Sequence, residues 1–113
     1  MHEMGICDGI LSSAVRAASD SGATRINRIE VSIGELTEVM DDALRFAFEA
    51  LKTGTMAEGA ELVVNYVEAR SQCTDCGAVF RHDRFDPKCP ECGSYVSTLV
   101  QGRELRIDAI DVD

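Results

Sequence analysis

The stretch CTDCGAVFRHDRFDPKCPECG, Cys73–Gly93, governs how the rest of the chain is read. It holds one local device twice, Cys73-Thr74-Asp75-Cys76-Gly77 and Cys89-Pro90-Glu91-Cys92-Gly93. In such a turn both thiolates converge on one ion, and the glycine that follows can take a positive φ that aims backbone N–H groups at sulfur. Each pair supplies half a tetrahedron. The 12 residues between Cys76 and Cys89 let the chain turn back and present the second knuckle to the first. Four thiolates leave Zn²⁺ no open position, so the expected site is one structural zinc ion held by Cys73, Cys76, Cys89 and Cys92. Iron in a rubredoxin-like site is the nearest competitor for the same donors. A disulfide or redox dithiol accounts for one pair, but not for two matched knuckles with following glycines. His82, between the knuckles, reads as an exposed polar residue in a charged hairpin.

Around the knuckles, residues 69–97 are poor in aliphatic side chains, as expected of a module organised by metal rather than by a core. The flanks carry clear periodicities. Met4, Cys7, Ile10, Leu11, Ala14, Val15 and Ala18 recur at three- and four-residue steps, predicting an amphipathic helix over about 4–20 that ends at Asp20-Ser21-Gly22. Cys7 sits in its apolar stripe and reads as a small buried hydrophobe. Ile29, Val31 and Ile33 alternate with Glu30 and Ser32, a half-buried strand over about 25–33 that Gly34 breaks. After Thr37, Met40, Ala43, Leu44, Ala47, Phe48 and Leu51 mark one face of a second helix, with Gly54 near its end. A second strand follows at about 60–68. In the last segment Leu105, Ile107 and Ala109 alternate with Arg106 and Asp108 before Ile110 and Val112 appear in the opposite phase, a third strand with a bulge expected near Ala109. The fold class is therefore α+β: two helices on a three-stranded sheet, with an inserted zinc-ribbon-like module. The domain boundaries expected are 1–68 plus 98–113 for the α+β part and 69–97 for the zinc part.

Bulk composition narrows the function. At 113 residues, with 45% hydrophobic and 5% aromatic side chains, the chain fits one modest aliphatic core carrying a metal-stapled module. No apolar run approaches the ~18–20 residues that cross a bilayer, and the Met1-His2-Glu3-Met4-Gly5 start lacks the order of a secretory signal. A cytoplasmic address is the expectation, and closely paired, reduced cysteines agree with it. The net charge is −9, and the cysteine segment is balanced, with 4 basic and 4 acidic side chains in residues 69–98. A protein that grips phosphates needs a basic stripe, and none is visible, so neither nucleic acid nor a membrane is an expected partner.

His2 brings together the amine of Met1, its own backbone nitrogen and its imidazole. Completed by the amide or carboxylate of Glu3, this nitrogen-rich set suits a square-planar or octahedral Ni²⁺ or Cu²⁺ site. The wider sequence sharpens that reading. Met1-His2-Glu3-Met4, Val31-Ser32-Ile33-Gly34-Glu35-Leu36, Gly54-Thr55 with Glu58-Gly59-Ala60, the paired knuckles and Gly102-Arg103-Glu104-Leu105 together closely resemble the HypA/HybF family of hydrogenase-maturation nickel metallochaperones. The resemblance runs from Met1 to about Val112. It implies that 1–68 plus 98–113 is a nickel-binding domain, with His2 as the nickel ligand through imidazole and backbone nitrogen and Glu3 as the adjacent ligand or partner-selecting residue. Asp41 or Asp42 corresponds to a further nickel-site carboxylate of some members. The implied cofactors are structural Zn²⁺ and transient Ni²⁺. The implied partners are the HypB GTPase, the large subunit of nickel-iron hydrogenase and, for some members, urease maturation factors. Some members carry His beside the knuckles, where this chain has Gly77-Ala78 and Gly93-Ser94, so a pH-dependent exchange of zinc ligands is not expected here.

Two other classes of function compete. A zinc-ribbon nucleic-acid or transcription adaptor explains the knuckles but calls for a basic or aromatic-lined face. A purely structural interaction module would bind no second metal. An enzyme is least expected, because no nucleophile-base constellation is visible and a saturated zinc cannot activate water.

Overall fold

The computed structural model describes residues 3–113; Met1 and His2 lie outside the described residues. The first helix, α1, spans Glu3–Asp20 and buries Cys7, Ile10, Leu11, Ala14 and Ala18, the stripe expected from the sequence, while Met4 at its start is 40% exposed. It stops as anticipated: Gly22 takes φ 83°, and the Ala23 N–H closes back on the Ala18 carbonyl at 2.9 Å. Strand β1, Ile26–Gly34, follows, with Ile29 and Val31 almost wholly buried.

The second helix, α2, begins later than its apolar pattern predicts. Glu35–Thr37 form a single 3-10 turn, Glu38 takes a left-handed conformation at φ 59°, and α2 runs Asp41–Lys52. The delay has a local cause. The Thr37 hydroxyl donates to the Gly34 carbonyl and the Glu38 N–H returns to the Glu35 carbonyl, so this turn closes on itself instead of propagating. Met40 thereby stands outside the helix and is 67% exposed, while Leu44, Ala47 and Phe48 form the buried face.

Strand β2, Glu61–Val67, and the last strand, Leu105–Val112, flank β1 in the order β2-β1-last strand. Pairing of Thr24 and Arg25 with Asp113 at one end, and of Gly34 with Glu104 at the other, makes the last strand antiparallel to β1. Its less exposed positions step from Ile107 to Ile110 and Val112, the change of phase present in the sequence.

Between β2 and the last strand lie three short strands that the sequence pattern does not mark: β3 Arg70–Cys73, β4 Val79–Arg81 and β5 Ser97–Gln101, the final strand being β6. They form a second antiparallel sheet in the order β4-β3-β5, with Ser71 opposite Phe80 on one side and opposite Leu99 on the other. The chain thus divides into two compact units. One comprises Met1–Ser32, Val39–Asn65 and Arg106–Asp113, and the other comprises Ile33–Glu38 and Tyr66–Leu105. In the first, α1 packs against α2 over an aliphatic core whose largest fully buried members include Phe48, Leu44, Ile29 and Ile26. In the second, a small cluster of Cys73, Phe80 and Cys89, with Ala78 against it, is buried at the knuckles, and Ile33 and Ala69 are buried elsewhere in the unit.

Segment 33–38 belongs to the second unit through ties that begin in the backbone. The Gly34 N–H donates to the Glu104 carbonyl at 2.7 Å and the Leu36 N–H to the Gly102 carbonyl at 2.8 Å. A Cβ on Gly34 would overlap the Gly102 carbonyl, so this approach admits only glycine. Side chains reinforce it: Glu35 accepts from the Ala69 N–H at 2.9 Å and pairs with Arg81 at 3.2 Å, and Glu38 pairs with Arg84. The Ala69 N–H, aided by Arg81, holds the Glu35 carboxyl below its ordinary pKa against the opposing effect of burial.

Candidate metal centre

The two knuckles are built alike, atom for atom. In the first, the Gly77 N–H donates to the Cys73 carbonyl at 2.9 Å and the Cys73 N–H to the Ala78 carbonyl at 2.8 Å. In the second, Gly93 and Cys89 are bonded at 2.9 Å and Cys89 and Ser94 at 2.9 Å. Gly77 takes φ 78° and Gly93 φ 77°, the left-handed conformation expected of both. Strand β3 delivers Cys73 to the start of its turn. Beyond the second turn, Ser97 of β5 pairs beside Cys73, and Thr74 is tied to the Val96 carbonyl through its N–H and its hydroxyl.

The result is a cluster in which the Sγ atoms of Cys73, Cys76, Cys89 and Cys92 all lie within 4.8 Å of one another. Cys73 and Cys92 stand 3.5 Å apart, and Cys76 and Cys89 3.6 Å. Sulfurs about 2.3 Å from a central zinc at tetrahedral angles are separated by about 3.8 Å, so this donor set fits structural zinc. None of the cysteines is in a disulfide. Cys73 and Cys89 are buried while Cys76 and Cys92 are exposed, so each knuckle contributes one inner and one outer sulfur.

Electrostatics show what the cluster lacks without a cation. N–H groups of Cys76 and then Asp75 are aimed at the Cys73 sulfur and bring its pKa down to about 7 against burial. At Cys92 the Ser94 N–H acts in the same sense, but the neighbouring sulfurs, Cys73 first, together with burial push the thiol up to about 12. Cys76 is likewise raised, because burial and Cys89 outweigh the Ala78 N–H. Sulfurs this close compete for a single negative charge, and a divalent ion lets all of them carry one.

His82, expected as an exposed polar residue in a charged hairpin, is half-buried and bonded through both ring nitrogens. Its Nδ1 lies 2.8 Å from the Asp83 carbonyl, which can only accept, so Nδ1 carries the proton and Nε2 accepts from the Ser71 hydroxyl at 2.6 Å. This hydroxyl-imidazole-carbonyl chain has the connectivity of an activated nucleophile, yet Ser71 is only 2% exposed and presents its oxygen to no substrate. It ties β3 to the chain just past β4. No sequence signal marks the pair, since the sheet register creates it.

The other anticipated residues divide. His2 lies outside the described residues. Glu3 opens α1, half-buried, and its carboxylate accepts from the Met40 N–H at 3.0 Å. Asp41 is held by Arg45 at 3.0 Å, and Asp42 beside it is exposed. Cys7 is fully buried far from the knuckles in sequence, its thiol pushed up to about 11 by burial and by Asp8.

The model of the family described as "Hydrogenase/urease nickel incorporation, metallochaperone, hypA" matches residues 1–112. The chain belongs to the HypA family. Among similar HypA-family proteins, the hydrogenase maturation factor HypA of Chlorobium luteolum is 42% identical over all of this chain and 97% of its own length. That of Geobacter metallireducens is 40% identical over the whole of both. The solution structure of the nickel metallochaperone HypA from Helicobacter pylori superposes with a TM-score of 0.70 at 25% identity, covering 99% of this chain and 97% of that one. HypA membership agrees with the four-cysteine cluster and with the α+β fold, and it does not favour the nucleic-acid adaptor. Among the described residues no helix is long and apolar enough to cross a membrane.

Proposed function

We propose that this protein is a nickel metallochaperone that takes up Ni²⁺ near its N-terminus and delivers it during maturation of nickel-iron hydrogenase, with urease as a further destination. The nickel ligands are His2, through imidazole and backbone nitrogen, and Glu3 beside it. Zinc is held by Cys73, Cys76, Cys89 and Cys92 and supplies a permanent crosslink, with no open position for chemistry. The nickel-binding domain is 1–68 plus 98–113, and the zinc-binding domain is 69–97. Its partners are the HypB GTPase, the hydrogenase large subunit and urease maturation factors, in the cytoplasm. The observation that carries this reading is the family match over residues 1–112, knuckles and N-terminal segment included.

The donor chemistry supports a division of labour. Four thiolates bind tightly and exchange slowly, whereas nitrogen and oxygen donors near a chain terminus can acquire and release an ion. The decisive experiment is calorimetric titration of zinc-loaded protein with Ni²⁺. About one further ion should bind, and His2→Ala should abolish that binding. Nickel uptake unaffected by His2→Ala would defeat the assignment, and tight, salt-sensitive binding to DNA or RNA would favour the adaptor instead.

A further inference from the structure

The Glu3 carboxylate reaches across 37 residues of sequence to the Met40 N–H, at 3.0 Å. Met40 is the residue before α2. Its backbone is extended at φ −87° and ψ 127°, its carbonyl accepts the first helical bond from Leu44 at 2.9 Å, and its side chain gives the helix no cap. Methionine has nothing to offer there, whereas a carboxylate suits the electropositive start of a helix. The junction that Glu3 grips is itself braced. Asp41 Oδ1 accepts from Arg45 Nε at 3.0 Å, and the same guanidinium donates to the Leu62 carbonyl on β2 at 3.0 Å. Glu3 therefore joins the start of α1 to a point on α2 already anchored to the sheet.

We propose that Glu3 is a positioning residue whose carboxylate docks the start of α1 on the Met40 N–H and so fixes the chain at the position next to His2 in sequence. This rests on the nickel reading above and refines it: the Glu3 carboxylate contributes geometry rather than ligation. Glutamine distinguishes the two roles. Its side-chain carbonyl can accept the same N–H, but it is a far poorer metal ligand than a carboxylate.

The experiment compares wild type, Glu3→Ala and Glu3→Gln in the zinc-loaded protein, following Met40 amide exchange by NMR before nickel is added and then titrating with Ni²⁺. Glu3→Ala should speed Met40 exchange several-fold and weaken nickel binding about 10–100-fold, the usual cost of losing a group that orients a metal ligand. Glu3→Gln should return both towards wild type. Unchanged Met40 exchange in Glu3→Ala overturns the docking, and nickel binding as weak in Glu3→Gln as in Glu3→Ala overturns the positioning role in favour of ligation. Failure of the wild type to take up nickel would sink the functional reading instead, while Met40 exchange in the nickel-free protein still decides whether Glu3 docks the segment.

Discussion

The two compact units of this chain reach stability by different routes. The helical unit buries a continuous set of aliphatic side chains around Phe48, Leu44, Ile29 and Ile26, so its order comes from removing apolar area from water. The cysteine unit spans Ile33–Glu38 and Tyr66–Leu105, yet its core cluster consists of Cys73, Phe80 and Cys89. Its large apolar residues Phe85, Tyr95, Val96 and Val79 are mostly exposed. Burial this sparse offsets little of the entropy of ordering that length of chain, and the four-cysteine cluster fits a structural zinc that would close the difference. One unit should survive conditions that dissolve the other.

The largest expected effect tests that contrast directly. Stripping zinc with a strong chelator removes an interaction worth roughly 10–16 kcal/mol in small zinc modules. Amide protection across residues 69–97 should vanish while helical circular dichroism at 222 nm persists. A single cooperative collapse of both signals would mean that the units are not separately stable. The converse perturbation is Phe48→Ala, which opens a cavity in the aliphatic core at a cost of about 3–5 kcal/mol. Its urea midpoint should fall while bound zinc per chain stays the same.

Gly34→Ala probes the tie of segment 33–38 to its own unit. The added methyl meets the Gly102 carbonyl, so the backbone must separate, at a cost of about 1–3 kcal/mol, and the Leu36 and Gly34 amides should lose exchange protection. Glu35 gives the same tie a pH dependence. Its folded pKa is below its unfolded value, so its stabilisation is complete above the ordinary carboxylate pKa and disappears as pH falls through the folded one. Melting temperatures of wild type and Glu35→Gln, recorded from neutral pH downward, should therefore converge in acid and differ near neutrality. Ser71→Ala is the mildest change. It removes one hydroxyl-imidazole bond, at about 1 kcal/mol, and should loosen the β3–β4 hairpin without releasing metal.

Much of this molecule was legible in its sequence because the relevant physics is local. Periodicity announces α1 because every third or fourth side chain shares a face, and β1 because every second one does. The knuckles are legible because ligand spacing and the following glycine are both short-range requirements, met at Gly77 and Gly93 as anticipated. The three short strands of the second sheet escaped because a few residues with one buried position, such as Val79–Arg81 around Phe80, carry too little pattern to stand out. The start of α2 differs from the apolar pattern because Met40 matches that face, while the turn at Glu35–Thr37 closes on itself through polar contacts that hydrophobic periodicity does not register.

The chain order alone thus marked α1, β1 and the two knuckles whose sulfurs come together, since each depends on residues a few steps apart. Only the tertiary structure decided that Glu3 meets the Met40 N–H, that Ser71 meets His82 and that Gly34 lies against Gly102. Those partners are 37, 11 and 68 positions apart, and nothing in either residue's neighbourhood names the other until the sheets and helices have packed.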